Sequence, residues 1–224
     1  MPGSAVPVLT LDGPSGSGKG TVGQICARRL GWHYLDSGAI YRALAYVVRR
    51  TGTDAADVTA VVRRAAELDM ECVPNPPESA SVYVNGECVD GSLRTEEAGR
   101  LASELAALPA VRAALLEAQR RLRRPPGLVA DGRDMGTVVF PDARWKFFIT
   151  ASAEERARRR YKQLKLKGFD VSLAPLFEAI QERDTRDAQR AVSPLKPADD
   201  ATVLDTSTMS IEEVVSRVLE SLTN

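Results

Sequence analysis

An α/β fold is predicted, a five-stranded parallel sheet with helices on both faces and a long insertion, and three observations predict it. Five short apolar segments, Val8–Leu11, His33–Leu35, Leu128–Ala130, Lys146–Ile149 and Thr202–Leu204, read as buried strands, with helical patterns between most of them. The first segment runs directly into Gly13-Pro14-Ser15-Gly16-Ser17-Gly18-Lys19-Gly20-Thr21, a glycine-rich turn that opens a helix. More than ninety residues separate the second strand from the third, too many for a single crossover helix.

The glycine-rich turn is the strongest chemical signal. Glycines let successive backbone N–H groups converge on an anion, Lys19 brings a positive charge to its outer oxygens, and the following helix adds its dipole. Gly20 stands where the G-x-x-x-x-G-K-[ST] pattern places a hydroxyl, and Thr21 follows it. The extra glycine points away from GTPases and towards small-molecule kinases. A flexible linker fits badly, because Val22, Ile25, Cys26 and Leu30 continue at helical spacing.

Three strands end in aspartate (Asp12, Asp36, Asp131) and Asp205 follows a fourth. In open parallel sheets ligands collect at the carboxyl ends of the strands, so these acids mark the active edge, although some only cap helices. After the second strand, Ile40 to Arg50 is helical, with Ile40, Leu44, Val47 and Val48 on one face. A second helix covers about Val58 to Leu68. Met70–Val73 and Val82–Val84 then alternate around a proline-rich loop, and Asn85-Gly86 signals a hairpin. A small antiparallel sheet is therefore expected in the insertion. Two helices, Glu96 to about Leu108 and Ala110 to Arg124, close it on either side of Pro109, and Arg123–Gly127 returns to the main sheet.

Composition bounds the function. A chain of 224 residues suits one domain with an inserted subdomain. Its 30 basic and 30 acidic residues cancel, which argues against a nucleic-acid partner. No stretch has the apolar length of a membrane span and no leader pattern is present, so a cytoplasmic protein is expected. The three cysteines, Cys26, Cys72 and Cys88, fit no metal or redox spacing and are expected as buried free thiols. His33 is the only histidine, which excludes chemistry built on histidine pairs; a structural role suits it.

Three further segments carry charge to the active edge. In Asp36–Arg42, Asp36 or Ser37 caps a helix, and Arg42 offers a fork for a second phosphate. In Asp131–Gly136, Asp131 suits the acid that orients magnesium and its waters, while Arg133 and Asp134 place opposite charges at the same mouth; a surface turn with a local ion pair is the alternative. The run from Arg156 to Lys167 is in part an ordinary solvated helix face, but Arg156 and Arg160 share one side and can close over a triphosphate. In Arg183–Arg190, Arg183, Asp187 and Arg190 share a face if the helix continues. That face suits a phosphate and a sugar hydroxyl, or an ion-pair stripe satisfied by itself. Phosphoryl transfer explains so many cations, since the protein supplies positioning and charge rather than a nucleophile.

Together the glycine-rich loop, Asp36–Arg42, Asp131–Gly136 running on through Thr137–Asp142, and Arg183–Arg190 before Ala191-Val192-Ser193-Pro194-Leu195 resemble the bacterial cytidylate kinases, over nearly the whole chain. The resemblance implies a P-loop nucleoside-monophosphate kinase. Its core would be 5–38 and 125–224, its monophosphate-binding insertion 39–124 with the small antiparallel sheet, and its short lid 156–170. It also implies transfer of the ATP γ-phosphate to CMP or dCMP with magnesium, by a monomer needing neither nucleic acid nor membrane. Carried over position by position, Gly13 to Thr21 would bind ATP, and Ser37, Arg42, Arg133 and Arg190 would surround the CMP phosphate. Arg183 and Asp187 would sit at the pentose, and Ser103, Arg112 and Asp134 would read the base. Lys19, Arg133, Arg190, Arg156, Arg160 and Asp131 would be catalytic, with Asp131 reaching magnesium through water and the two lid arginines contacting ATP. Competing readings are a kinase for UMP, AMP or an acceptor such as shikimate, a nucleotide-dependent switch or regulatory ATPase, and an RNA-binding module. The absence of an N-K-x-D motif argues against most GTPase switches.

Overall fold

The computed structural model describes residues 6–75, 79–93, 95–166 and 168–223. The chain divides into two compact units, one of Met1–Asp36 and Arg120–Asn224, the other of Ser37–Gln119.

The first unit is built on a parallel sheet of β1 (Val8–Asp12), β2 (His33–Asp36), β6 (Leu128–Gly132), β7 (Trp145–Thr150) and β8 (Thr202–Asp205), in the order β2-β6-β1-β7-β8. All five expected strands are present. Every residue of β1 and β6 is buried, as the apolar runs require of central parallel strands, whereas β8 lies at an edge and is largely exposed. β1 pairs with β6 and β7 in register, Leu9 facing Val129 and Trp145. The strand that follows β1 in the chain lies beyond β6, so the connections diverge beside β1, the place where such sheets hold ligands. Helix α1 (Lys19–Leu30) and α9 (Ile211–Thr223) cover the sheet. Val22 and Cys26 from α1 and Val214, Val215 and Val218 from α9 join Leu9, Leu11, Val129 and Ile149 in one core cluster. Each such side chain, fully buried, stabilises the fold by roughly 1.5–3 kcal/mol before packing is counted.

Two helices follow β7, α7 (Ala153–Leu166) and α8 (Leu173–Ala188); the segment expected as a lid, 156–170, covers most of α7 and the turn after it. The helix bearing Arg183 and Asp187 stops at Ala188, so Arg190 is not on its face. The chain turns at Gln189, and Arg190 reaches Asp187 from the turn.

The second unit holds α2 (Ser37–Arg50), α3 (Val58–Ala66), an antiparallel sheet of β3 (Met70–Asn75), β4 (Ser79–Val84) and β5 (Glu87–Cys88), then α4 (Asp90–Leu93), α5 (Glu96–Leu105) and α6 (Pro109–Arg120), whose last residue belongs to the first unit. The hairpin turns at Asn85-Gly86, both at positive φ. Ala43 and Val47 pack with Val84, Val89 and Leu93 in a separate core. Several boundaries differ from expectation. α2 starts three residues early, at Ser37, α3 ends at Ala66, and α6 begins on Pro109, where its missing N–H costs nothing. The one-turn α4 was not legible. Cys26 is a buried free thiol as expected, but Cys88 on the short strand β5 is exposed. The side chain of Cys72 lies outside the described residues.

Candidate active site

The glycine-rich loop joins β1 to α1 at the sheet's carboxyl edge. A Cβ on Gly13 would stand 2.0 Å from the carbonyl oxygen of Ile149 on β7, so the loop leaves the sheet at a point with no room for a side chain. Gly18 caps α1 in the left-handed region, and no acidic residue occupies the first turn of that helix. Lys19 is buried. Its Nζ donates to the Pro14 carbonyl at 3.0 Å and stands 3.9 Å from Asp131 Oδ1. Burial lowers the lysine to about 8; the charge of Arg133 pushes the same way, and that of Asp131 opposes it.

Asp131 lies near the end of β6, the neighbour of β1. Tyr34 on β2 donates its hydroxyl to Asp131 Oδ2 at 2.9 Å. Burial raises the Asp131 carboxyl, while the charges of Lys19 and Arg133 act against that rise. A Cβ at position 20 would approach Asp131 Oδ2 to 3.2 Å, a physical reason for the glycine that replaces the consensus hydroxyl. No cluster of three or more metal-ligating side chains occurs among the described residues. One carboxylate beside a phosphate cradle nevertheless fits magnesium, which keeps most of its waters and takes its other oxygens from the nucleotide.

Arg133 does not pair with Asp134, as the local ion-pair alternative required. Its Nε donates to Asp187 Oδ2 at 2.9 Å, and Arg190 Nη2 donates to Asp187 Oδ1. Burial would raise the Asp187 carboxyl, but the charges of Arg133, Arg190 and Arg183 outweigh it and hold it below the usual carboxylate range. Asp187 is completely buried. In this conformation it aligns two arginines, one from the end of β6 and one from beyond α8.

Asp134 is buried and precedes a single π-helical turn, Met135–Val139. The turn is held from below by Asp12, whose two carboxylate oxygens accept from the N–H groups of Met135 and Gly136, each at 2.8 Å. Burial pushes Asp12 up to about 7 against these two bonds. Such turns concentrate at functional sites, and this one sets the direction of the Asp134 segment.

Arg156 and Arg160, expected together on the ATP side, lie in different surroundings. Arg156 is buried, donating to both oxygens of Asp184 (3.0 and 2.5 Å), to Ala151 O and to Ser15 O. These bonds occupy four of the five guanidinium N–H donors of Arg156. Arg160, four residues on, donates to Gln163 at 2.7 Å. In the second unit, Ser37 opens α2 and is buried, with Arg42 one turn further on and half-buried. Ser103 on α5 is buried, and Arg112 on α6 donates to Ala106 O at 3.1 Å, its guanidinium over the ring of Tyr41.

Sequence reasoning did not single out Tyr34 or Asp184, and it noted Asp12 only as a strand-end acid. Position at the end of a strand was the available signal for Asp12. Nothing local marks the other two.

Comparison with known proteins shows the family of the chain. The family model described as cytidylate kinase matches residues 9–224. A cytidylate kinase of Pseudomonas aeruginosa strain PAO1 is 58% identical over 216 residues, covering 96% of this chain and 94% of that one. One of Stutzerimonas stutzeri strain A1501 is 56% identical over 218 residues, covering 97% and 95%. A solved structure of an uncharacterized protein from Eubacterium ventriosum is similar in fold alone, with a TM-score of 0.50 at 8% identity, covering 97% of this chain and 98% of that one. With the family model spanning nearly all of it and relatives this similar along their full length, the chain belongs to the cytidylate kinase family.

Proposed function

We infer that the protein transfers the γ-phosphate of ATP to CMP or dCMP, releasing ADP and CDP or dCDP. Family membership supports the reaction, and one structural observation supports its location. After β1 the lysine-bearing loop Gly13–Thr21 brings Lys19 to 3.9 Å from the buried acid Asp131 on the neighbouring strand β6, and just past β6 Arg133 is joined to Arg190 through Asp187. Two cationic sites are what a reaction between two phosphates needs, because each anion must be neutralised before they approach.

The cradle holds the ATP phosphates with its N–H groups and Lys19, while Arg133, Arg190, Ser37 and Arg42 take the phosphate of the acceptor. An oxygen of the acceptor phosphate attacks the γ-phosphorus as the bond to the β,γ-bridging oxygen breaks, and that oxygen leaves on ADP. Lys19 and the arginines stabilise the charge spread over the transferring group. Arg156 and Arg160 are proposed to act from the lid on the ATP side, and Arg183 and Asp187 at the pentose. Ser103, Arg112 and Asp134 read the base; a carboxylate only accepts, so Asp134 suits the exocyclic amine of cytosine. Asp131 would hold magnesium through its waters, and the metal would supply further neutralisation of the phosphates. The reading is of a cytoplasmic monomer acting on small nucleotides, without nucleic acid or a membrane. Among the described residues no helix is long and apolar enough to cross one.

The test is a coupled assay of ADP release with CMP, dCMP, UMP and AMP as acceptors. CMP and dCMP are expected to give the highest kcat/KM. Preference for UMP or AMP, or steady ATP hydrolysis with no acceptor, would overturn the reading.

A further inference from the structure

Three side chains outside the glycine-rich loop fasten its backbone carbonyls. Arg156 Nη1 donates to Ser15 O at 3.1 Å. Arg159 Nη1 donates to Ser17 O, also at 3.1 Å, and the Thr206 hydroxyl lies 3.1 Å from the same oxygen and 3.0 Å from Thr150 O. Arg159 and Thr206 are themselves joined. The arginine reaches the threonine hydroxyl at 3.2 Å and its carbonyl at 2.5 Å, and Glu155 steadies its Nε at 3.2 Å. Thr206, just past the end of β8, is buried, and its own N–H donates to Thr150 O on β7 at 2.8 Å.

A trans peptide is planar, with its C=O and N–H pointing in opposite directions. Fastening the Ser15 carbonyl on one side therefore turns the Gly16 N–H to the other, and fastening the Ser17 carbonyl does the same for Gly18. Gly16 and Gly18, like Gly13, are glycines at positive φ, with no Cβ to restrict the rotation of their peptides. Without an external anchor, those N–H groups sample many directions, and an arriving phosphate must bear the entropy of ordering them.

We propose that Thr206 and Arg159, with Arg156, are positioning residues that pre-orient the Gly16 and Gly18 amides towards the phosphate chain of the nucleotide. Thr206 carries this role from the opposite end of the sequence, and neither it nor Arg159 touches the phosphates to do so. The proposal rests on the reading of Gly13–Thr21 as the phosphate cradle.

The experiment compares Thr206→Val, which keeps the shape and removes the hydroxyl, with Thr206→Ser, which restores it, and uses Lys19→Met as the control for the cradle. Calorimetry measures binding of ATP and of inorganic tripolyphosphate, which has the phosphate chain and no nucleoside. Thr206→Val is expected to weaken both ligands by about tenfold, the effect of one lost hydrogen bond. It should raise KM for ATP while leaving KM for CMP within about twofold, and Thr206→Ser should recover most of the loss. Should Thr206→Val fail to fold, Arg159→Lys, which loses the simultaneous bonds to Ser17 and Thr206, is expected to show the same split. Weakening of ATP alone would make Thr206 a nucleoside contact and overturn the proposal. Unchanged tripolyphosphate binding, with Lys19→Met losing it, would overturn the positioning role and leave the cradle standing. If Lys19→Met binds tripolyphosphate as tightly as the unaltered protein, the cradle reading falls and the proposal with it.

Discussion

Two groups of arginines in the first unit hold different things. Arg156 and Arg159 bond to backbone carbonyls of the glycine-rich loop and are steadied by Asp184 and Glu155. Arg133 and Arg190 meet on the side chain of Asp187, where the charge of Arg183 also acts. A guanidinium bound to a carbonyl fixes the direction of a peptide. Guanidinium groups gathered on one buried carboxylate keep a positive charge in place for an anion that arrives later. Residue type and charge are the same in both groups, and the contrast comes from the acceptor each one found.

The comparison is tested most severely at Lys19, the charge of the glycine-rich loop itself. Lys19→Met is expected to keep the fold and to lower kcat/KM by about 10³-fold, because it removes charge from the transferring phosphate at a site already ordered by its neighbours. Near-normal turnover would sink the assignment of the loop. The next largest effect separates the groups. Arg190→Met is expected to lower kcat/KM for CMP by about 10²-fold while the affinity for ATP stays close to normal. Arg156→Met should weaken ATP binding and also lower the melting temperature, since it leaves the buried side of Asp184 and the Ser15 carbonyl without their donor. Equal losses on both substrates in both variants would erase the distinction. Steady-state kinetics with each substrate varied, beside thermal melts, decide it.

What the sequence made legible follows the range of the interactions. The five strands, the loop and the hairpin were readable because each rests on neighbours within a few residues: apolar runs, glycines at positive φ, Asn85-Gly86. Lys19 and Asp131 were readable because motif and strand-end position mark them. Thr206, 189 residues from Ser17, and Tyr34, 97 residues from Asp131, were not, since only the sheet order brings them together. Asp184 escaped because an acid between two arginines on a helix looks like solvated surface; burial of Arg156 beneath it comes from packing of α7 on α8. The end of α8 at Ala188 was hidden for another reason. Gln189 has good helix propensity, and nothing before Pro194 forces a stop.

A smaller effect sharpens the reading of the acceptor side. Asp134→Asn keeps the size of the side chain, but its amide can rotate to donate where a carboxylate only accepts. Cytosine offers an amine there and uracil a carbonyl, so the loss should fall mainly on CMP. The ratio of kcat/KM for CMP over UMP is expected to drop by about tenfold or more, corresponding to roughly 1–3 kcal/mol for a hydrogen bond left unpaired in a buried site. A ratio that does not fall would remove Asp134 from base reading and leave it as a support for the π turn.

The smallest effect is a titration, and it asks whether the lysine is as desolvated as its neighbours imply. Lys19 in the free protein lies at about 8, lowered by burial first and by the charge of Arg133 next. An amine loses its charge as pH rises through its pKa, so phosphate affinity should weaken above pH 8 and not below it. The kcat/KM for ATP, which reports the free enzyme, is therefore expected to fall by about tenfold per pH unit beyond that point. With ATP bound, the phosphates hold the ammonium and the corresponding limb of kcat should move to higher pH. Burial pushes Tyr34 well above its ordinary value and Cys26 up to about 11, so neither supplies this limb. Asp12, raised to about 7, and Asp131, also raised, gain negative charge as pH rises, and a variant at Lys19 separates them from the lysine. Lys19→Arg separates charge from fit. A guanidinium stays charged across this range, so the limb near 8 should disappear, while the plateau falls because a planar fork replaces a compact ammonium in a tight loop. Profiles of kcat/KM from pH 6 to 10 for both proteins provide the measurement. If the limb persists unchanged in Lys19→Arg, a group other than Lys19 produces it, and the fall in ATP affinity is not the titration of this lysine.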